Sequence, residues 1–163
     1  MSFLRIQIIL IIITFGISLA QNLEGKLKKK VVKTEKEWLE TLTPDQYHIL
    51  REKGTERAFS GKYDKTFEEG NYVCAGCGTK LFESDAKYNS GCGWPAFSKS
   101  LPETIDETAD KSFGMVRTEI TCRKCDGHLG HIFNDGPAPT GLRYCVNSLS
   151  LDFEPKKEEK TKK

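Results

Sequence analysis

The segment from Leu142 to Leu149 contains a cysteine whose neighbours on one strand face are polar. Arg143, Cys145 and Asn147 alternate with apolar side chains, and alternate residues of a β-strand share a face. One face would therefore present a guanidinium, a thiol and an amide together. Because a fixed positive charge favours the nucleophilic thiolate, this pattern indicates a reactive cysteine. A buried structural cysteine is the alternative, but two polar side chains on its own face fit it poorly.

A second cysteine without a nearby partner lies in the segment Ser90–Phe97. Glycines flank Cys92 on both sides, and Trp94 and Phe97 follow it closely. The flanking glycines would make this thiol mobile, which suits a cysteine that resets an oxidised partner through a disulfide. The alternative is a turn packed by aromatic side chains, in which Cys92 has no chemical role.

The other four cysteines form two CxxC pairs with the spacing of zinc ligands. Cys74 and Cys77 make the first pair, Cys122 and Cys125 make the second, and a glycine follows each pair closely. Zn²⁺ prefers four sulfur ligands in a tetrahedron, so the two pairs together predict one structural zinc site with four cysteine ligands. Because a long segment separates the pairs, the fold must bring them together. Disulfides and a redox-active CxxC are the alternatives, and ligand number and softness favour zinc over both.

Two histidines close to the second CxxC pair are candidate proton donors. His128 and His131 would point to opposite faces of a regular strand. Gly130, which lies between them, can adopt a positive φ or form a β-bulge and bring both imidazoles to one side. An imidazole beside a thiolate is suited to general acid catalysis. Coordination of zinc by these histidines, in a site of two cysteines and two histidines, is the weaker alternative because four thiols are already present.

The N-terminal residues have the features of a secretory signal peptide. Arg5 precedes an apolar stretch that continues to Ile17, and Ser18-Leu19-Ala20 supplies small residues for cleavage after Ala20. We therefore expect residues 1–20 to be removed and the protein to enter the secretory pathway, as a secreted protein or in the lumen of the endoplasmic reticulum. The apolar run is shorter than the roughly 20 residues that a membrane span needs, so we expect no span in the mature chain. An uncleaved membrane anchor is the alternative.

The rest of the chain predicts one small β domain between two polar ends. Residues 21–37 are polar and rich in lysine, which indicates a flexible linker, and residues 154–163 form a charged tail that we expect to be disordered. Between them, residues 38–153 contain short apolar runs separated by turn residues, as in an antiparallel β domain. The net charge is +2, and acidic and basic residues are interspersed. The sequence therefore predicts no basic face of the kind that binds nucleic acid.

One helix is predicted ahead of the strands. Thr43 is a favourable N-cap, Pro44 occupies the first helical position and Gln46 completes a capping box. This helix should continue to about Lys53 and stop at Gly54. The candidate strands are the apolar runs at 71–73, 80–82, 112–117, 131–133 and 143–153.

Five segments between Trp38 and Phe153 together resemble the B-type methionine-R-sulfoxide reductases. They are residues 42–47, 54–61, 90–95, 127–137 and 143–148. The resemblance implies a mainly β fold, in which two antiparallel sheets form a β core with short peripheral helices and a four-cysteine zinc site. It also implies the activity of a peptide-methionine (R)-S-oxide reductase, an oxidoreductase of oxidative stress repair.

The resemblance further implies a role for each polar residue of the candidate site. Cys145 would attack the sulfoxide sulfur, and Arg143 would favour its thiolate. His131, together with His128, would bond to the sulfoxide oxygen and supply its proton, and Asn147 would help to fix this arrangement through water or a histidine.

The remaining steps follow from the same resemblance. Attack would leave methionine and a sulfenic acid on Cys145, which Cys92 would convert into a disulfide for reduction by thioredoxin or a similar dithiol. Trp94 and Phe133 would hold the ε-methyl group of a protein-bound or free substrate. We expect a monomer. The secretory pathway is poor in thioredoxin, so the expected location and the expected reductant are in tension.

Two other functions are compatible with the residues alone. The first is a secreted zinc-knuckle binding module, in which Cys145 and His131 have no special role. The second is a thiol–disulfide oxidoreductase that uses a CxxC pair, with redox-active knuckles and little bound zinc.

Overall fold

The computed structural model describes residues 30–156. The predicted signal peptide at 1–20 lies outside the described residues, as do residues 21–29 of the predicted linker and 157–163 of the predicted tail. Within the described part of the chain, no helix combines the length and the apolar character needed to cross a membrane.

The helix predicted after Thr43 is present but ends earlier than expected. It spans Pro44–Leu50, which is α2 in chain order, and the hydroxyl of Thr43 and the side chain of Gln46 form the predicted capping box. Lys53 adopts a positive φ of 58° in the turn that follows. The chain therefore reverses before Gly54, which was predicted to be the stop.

A helix that the sequence analysis missed precedes α2. This helix, α1, spans Glu35–Thr41, and Thr34 forms a capping box with Glu37 at its start. Trp38 from this helix is only 2% exposed. The prediction of a flexible linker up to residue 37 is therefore wrong for its last residues, because a cap and a buried tryptophan fix them in place.

All strands within residues 30–156 are antiparallel and form two sheets. In chain order they are β1 (Gly70–Cys74), β2 (Lys80–Glu83), β3 (Lys87–Tyr88), β4 (Ala96–Phe97), β5 (Ile105–Asp110), β6 (Arg117–Cys122), β7 (His128–Phe133), β8 (Arg143–Val146) and β9 (Leu151–Pro155). The smaller sheet has the order β2-β1-β9, and the larger has the order β3-β4-β8-β7-β6-β5. The predicted fold class, mainly β with two antiparallel sheets and short helices, is confirmed.

Two of the predicted strand runs differ in detail from the structure. Much of the run at 112–117 is a 3₁₀ turn at Ser112–Gly114, and β6 begins only at Arg117. The run at 143–153 contains two strands in different sheets, separated by a 3₁₀ turn at Ser148–Ser150.

The C-terminal strand continues into the segment that was predicted to be disordered. Glu154 and Pro155 belong to β9 and pair with β1, and the N–H of Lys156 donates to the carbonyl of Glu69 at 2.9 Å. The prediction of disorder from residue 154 is therefore wrong for residues 154–156, because pairing with β1 orders their backbone.

An aromatic cluster in the core joins the two sheets. Phe82 of the smaller sheet stacks on Phe97 of the larger sheet with 4.2 Å between ring centroids, and Tyr72 contacts Phe97 edge-on at 5.0 Å. All three side chains are fully buried. This contact fixes the larger sheet on one face and leaves its other face available for polar side chains.

Candidate active site and four-cysteine centre

A row of side chains crosses four neighbouring strands of the larger sheet. Cys145 on β8 lies opposite His131 on β7, His131 lies opposite Glu119 on β6, and Glu119 lies opposite Thr108 on β5. Residues directly opposite each other in antiparallel strands point to the same face. The fold therefore places a thiol, an imidazole and a carboxylate side by side, of which the sequence predicted the first two.

Gly130 makes this arrangement possible in two ways. Its φ is 153°, a region that is open essentially only to glycine, and the pairing of β6 with β7 shifts register beside it. The resulting bulge brings the rings of His128 and His131 to 5.6 Å between centroids, which confirms the predicted role of this glycine. A Cβ atom at Gly130 would also overlap the carbonyl oxygen of Cys145, so β8 can approach this closely only where there is no side chain.

A cavity of about 120 Å³ opens beside the row. It contains both apolar walls and a few polar groups, as ligand sites usually do. Its lining residues are Thr55, Trp94, Arg117, Gly130, His131, Phe133, Cys145, Val146 and Asn147. The structure thus brings together five of the predicted site residues at one cavity, and it adds Thr55 and Arg117, which the sequence analysis did not identify.

The two unpaired cysteines lie within contact distance of each other. The Sγ atoms of Cys92 and Cys145 are 3.7 Å apart, well beyond the bond length of about 2.05 Å in a disulfide, so both are free thiols. The hydrogen bond with Cys145, helped by one with Ser90, lowers the pKa of Cys92 to about 5. The same contact, followed by burial, raises the pKa of Cys145, although the charge of Arg143 acts in the opposite direction.

The contact between the two thiols therefore shifts their pKa values in opposite directions. Arg143 lowers the pKa of Cys145 as predicted, but the contact with Cys92 and burial have the larger effect. The two pKa values belong to the pair, so movement of Cys92 out of contact removes the largest cause of the high pKa of Cys145. Gly91 and Gly93 both have positive φ, at 72° and 91°, and they place this thiol on a segment without regular structure.

Arg143 is fixed next to the cavity by two contacts. Its Nε and Nη2 atoms donate to the two carboxylate oxygens of Asp135 at 2.8 and 2.9 Å, and its guanidinium lies 4.3 Å from the ring centroid of Phe133. The bidentate pair raises the pKa of Arg143 and lowers that of Asp135. Asp135 therefore positions both the charge near Cys145 and one wall of the cavity, a role that the sequence analysis did not assign to it.

A carboxylate also holds the histidine at the cavity wall. The Nε2 atom of His131 lies 2.8 Å from Asp110, and Arg117 donates to the same carboxylate oxygen at 2.7 Å. Hydrogen bonds from Ser112 and then from His131 lower the pKa of Asp110, so this group is an anion at neutral pH. A carboxylate anion can only accept, so Nε2 of His131 donates to Asp110, and this bond fixes the orientation of the imidazole at the cavity wall.

Asn147 has partners different from those expected. Its Oδ1 accepts the backbone N–H of Glu56 at 3.1 Å, and its Nδ2 donates to the carbonyl of Leu129 at 3.1 Å. The side chain bonds to backbone and not directly to a histidine, which was one of the two expected routes, because β8 ends at Val146 and the chain turns away from the sheet. Asn147 thus fixes the bulged part of β7 that carries the histidines.

Glu56, which the sequence analysis did not select, connects the cavity wall to the turn after β8. Its carbonyl accepts the indole N–H of Trp94 at 3.1 Å. Its carboxylate accepts the backbone N–H groups of Ser148 and Leu149 at 2.6 and 3.1 Å. The only sequence signal was its location in the matched segment 54–61.

The four CxxC cysteines converge on one centre. Their sulfur atoms all lie within 4.8 Å of one another, and the contacts Cys74–Cys125 and Cys77–Cys122 are both 3.6 Å. A tetrahedral ion with Zn–S bonds of about 2.3 Å needs sulfur atoms about 3.8 Å apart. The observed spacing therefore fits a metal ion, whereas it is too long for disulfides.

The two knuckles have the same local geometry. The N–H of Gly78 donates to the carbonyl of Cys74, and the N–H of Asp126 donates to that of Cys122, both at 2.8 Å. Gly78 and Asp126 have positive φ values of 68° and 58°. One knuckle follows β1 and the other follows β6, so the centre connects the smaller sheet to the larger. Convergence of all four sulfurs also argues against a redox-active CxxC, which needs one exposed pair.

This combination of a thiol pair, a histidine held by a carboxylate and a four-cysteine centre on a β fold defines a cysteine-dependent oxidoreductase. Residues 42–155 match the SelR domain, and the chain belongs to that family.

The relatives support this assignment over most of the chain. A protein of Bradyrhizobium diazoefficiens named peptide methionine sulfoxide reductase MsrB is 60% identical over 128 residues, which cover 78% of this chain and 92% of the relative. Proteins of the same name from Acinetobacter baumannii (strain ATCC 17978) and Acinetobacter baylyi are 57% and 58% identical over 135 residues, which cover 81% of this chain and 97% of each relative. The resemblance stated from the sequence is confirmed, and a zinc-knuckle binding module is not favoured.

Proposed function

We propose that the protein reduces methionine-R-sulfoxide to methionine, with Cys145 as the nucleophile and Cys92 as the resolving thiol. The observation that carries this proposal is the 3.7 Å contact between the two sulfurs at a cavity that His131 also lines. The relatives named peptide methionine sulfoxide reductase support the substrate, and the R configuration rests on the family resemblance.

In the first step, the Cys145 thiolate attacks the sulfoxide sulfur. Trp94 and Phe133 provide apolar surface for the ε-methyl group, and the charge of Arg143 favours the thiolate once Cys92 moves out of contact. His131 donates a proton to the oxygen, since an unprotonated oxygen is a poor leaving group. The protonated oxygen then moves from the substrate sulfur to the Cys145 sulfur, the bonds from the substrate sulfur to oxygen and to Cys145 both break, and methionine and a Cys145 sulfenic acid result.

In the second step, Cys92 attacks the oxidised sulfur. A disulfide between Cys92 and Cys145 forms, and the sulfenic oxygen leaves as water with one proton. The sulfurs must approach from 3.7 Å to about 2.05 Å, a short movement for a segment flanked by two glycines. Two electrons from thioredoxin or a similar dithiol restore both thiols.

The shape of the site favours methionine sulfoxide within proteins over the free amino acid, which we expect to be a poorer substrate. The cavity of about 120 Å³ suits the end of one side chain, and Val116, beside its lining residue Arg117, is 81% exposed. We propose that the protein acts as a monomer.

Cys74, Cys77, Cys122 and Cys125 would hold a structural Zn²⁺. A site filled by four cysteines has no open coordination position, so the ion would stabilise the fold and take no part in the reaction. The four sulfur ligands match the preference of this ion.

Localisation in the secretory pathway, after cleavage of a signal peptide near residue 20, remains part of the proposal. The apolar stretch and the small residues after it support it. Sequencing the N-terminus of the mature protein tests this point, and a mature chain that retains its first residues would contradict it.

The proposal is tested by single-turnover reduction without added reductant. The parent should reduce one equivalent of R-sulfoxide and form a Cys92–Cys145 disulfide. Cys92→Ser should still yield methionine but stop at the sulfenic acid, whereas Cys145→Ser should yield none. Serine in place of either thiol is nearly isosteric, so each variant is the matched control for the other. Equal turnover by Cys145→Ser and the parent would refute the mechanism.

A further inference from the structure

A buried carboxylate, paired with a lysine whose side chain is 66% exposed, lies at the centre of the cross-strand row. The side chain of Glu119 is 7% exposed, and its two oxygens contact different groups. Oε1 lies 2.7 Å from Nδ1 of His128, and Oε2 accepts from Nζ of Lys53 at 2.7 Å. The hydroxyl of Thr108 donates to Oε2 at 3.4 Å. Both carboxylate oxygens therefore have partners in a place from which water is nearly excluded.

Placing the Glu119 carboxylate in the protein interior has an unfavourable desolvation free energy. Burying a carboxylate costs several kcal/mol, which its hydrogen bonds must offset. Lys53 reaches Glu119 from a backbone with a φ of 58°, which residues other than glycine seldom adopt. A buried carboxylate bonded to a histidine, one strand away from a residue that lines the cavity, is a candidate for a role in the reaction.

The charges around His128 determine which of its nitrogens carries the hydrogen. Burial is the largest cause that lowers the pKa of His128, so the ring is neutral. The pKa of Glu119 is lowered in spite of burial, because Lys53 and His128 both bond to it. An ionised carboxylate can only accept, so the hydrogen of His128 must be on Nδ1, and Nε2 is left as an acceptor.

The second imidazole of the site is held differently. His131 bonds to Asp110, whereas the charged or titratable groups that act on His128 are Glu119, His131 and Lys53. The two rings meet edge to face at 5.6 Å between centroids, so the state of one ring affects the other.

We propose that Glu119, held by Lys53, is a positioning residue that fixes His128 as the neutral Nδ1–H tautomer. His128 then presents an acceptor nitrogen beside His131, and His131 is left as the imidazole that supplies the proton for the reaction. This inference rests on the proposed function for its kinetic consequence, but the tautomer itself is independent of turnover.

The most direct test replaces one acceptor oxygen of Glu119 by a donor NH₂ group without changing the shape of the side chain. In Glu119→Gln, the ammonium of Lys53 should hold the amide oxygen and turn the amide NH₂ toward Nδ1 of His128. Nδ1 must then accept, so the hydrogen moves to Nε2. In the double variant with Lys53→Met, the amide is released, its oxygen can turn to His128, and the Nδ1–H tautomer should return.

The measurements are the ring ¹⁵N shifts of His128 by NMR, the kcat and KM for R-sulfoxide reduction, and the thermal midpoint of each variant. We expect Nδ1–H in the parent, Nε2–H with about a tenfold loss of kcat and little change in KM in Glu119→Gln, and recovery of both in the double variant. The exposed pair Lys99–Asp85 supplies the control, and Lys99→Met with Asp85→Asn should change neither the tautomer nor kcat.

The other outcomes overturn either the inference or the proposed function, and they distinguish the two. Nε2–H in the parent, or Glu119→Gln that folds and turns over like the parent, removes the role of Glu119. A loss of kcat that follows the thermal midpoint and is not recovered in the double variant assigns the pair to stability alone. A parent that shows Nδ1–H but never reduces sulfoxide refutes the proposed function and leaves the assigned tautomer standing.

Discussion

Replacing Gly130 by alanine tests whether the close approach of β7 and β8 positions the reacting groups. The φ of Gly130 is 153°, and a Cβ atom there would overlap the carbonyl oxygen of Cys145 and lie 3.1 Å from Cα of Val146. Both atoms belong to backbone, so no side chain can move aside. The strands must separate by about 1 Å, because protein interiors have little free space.

Two costs add in this variant. An alanine in a region reserved for glycine costs about 1–3 kcal/mol, and overpacking between two backbones costs about 1–3 kcal/mol more. The sum, about 2–6 kcal/mol, is a large part of the roughly 5–15 kcal/mol that stabilises a typical domain. Separation of the strands also moves Cys145 away from His131, and a displacement of about 1 Å at a reacting centre can reduce turnover about 100-fold.

Gly141→Ala is the matched control for Gly130→Ala. Gly141 has a positive φ of 67°, and a Cβ atom there would have no neighbour within 4 Å. This variant should therefore lose about 1 kcal/mol of stability and keep its turnover. Thermal unfolding and initial rates with a chemical dithiol as reductant measure both effects. Gly130→Ala with the stability and turnover of Gly141→Ala would refute the argument from close approach.

Three further predictions concern the thiols, the arginine and the metal. Iodoacetamide at about pH 6 should label Cys92 before Cys145, because a lowered pKa leaves Cys92 as thiolate at that pH; mass mapping checks this, and first labelling of Cys145 would contradict it. Asp135→Asn should lower kcat about fivefold, since it releases Arg143 from a bidentate but solvent-exposed contact. An unchanged kcat would show that this contact does not contribute to turnover. Cys122→Ser should reduce bound zinc and lower the thermal midpoint together, and a metal-free variant as stable as the parent would exclude a structural role.

The reacting residues could be predicted because local patterns identify them. The alternation of polar and apolar residues along β8 predicted Arg143 and Cys145, and the glycine between the two histidines predicted the bulge on β7. These signals depend only on the period of a strand and on the conformations open to glycine. The pKa order of the two thiols could not be predicted in this way, because it depends on the contact between Cys92 and Cys145, which are 53 positions apart.

The carboxylates that support the site were missed for a different reason. Asp110 lies at the end of β5, whose sequence Ile105–Asp110 has no apolar alternation because this strand forms the exposed edge of the sheet. Glu119 is held by His128 on the neighbouring strand, nine positions later, and by Lys53, which lies 66 positions earlier in the chain. A single sequence does not contain such pairings.

The error at α1 was avoidable. Thr34 and Glu37 have the spacing of a capping box, and Trp38 follows directly. The polar, lysine-rich composition of residues 21–37 indicates a linker, whereas the cap and the tryptophan at its end indicate the start of a helix. A local cap is the stronger evidence where the two disagree.

Each residue of the cross-strand row lies on a different strand. Catalysis is therefore sensitive to the pairing register of these strands. A slip of β8 by one position would set Tyr144 or Val146 against His131 and turn the thiol into the aromatic core. Secondary structure would survive such an error almost unchanged, whereas sulfoxide reduction would stop. Recovery of activity after denaturation therefore counts the molecules whose strands have found the correct partners, which spectroscopic recovery alone does not.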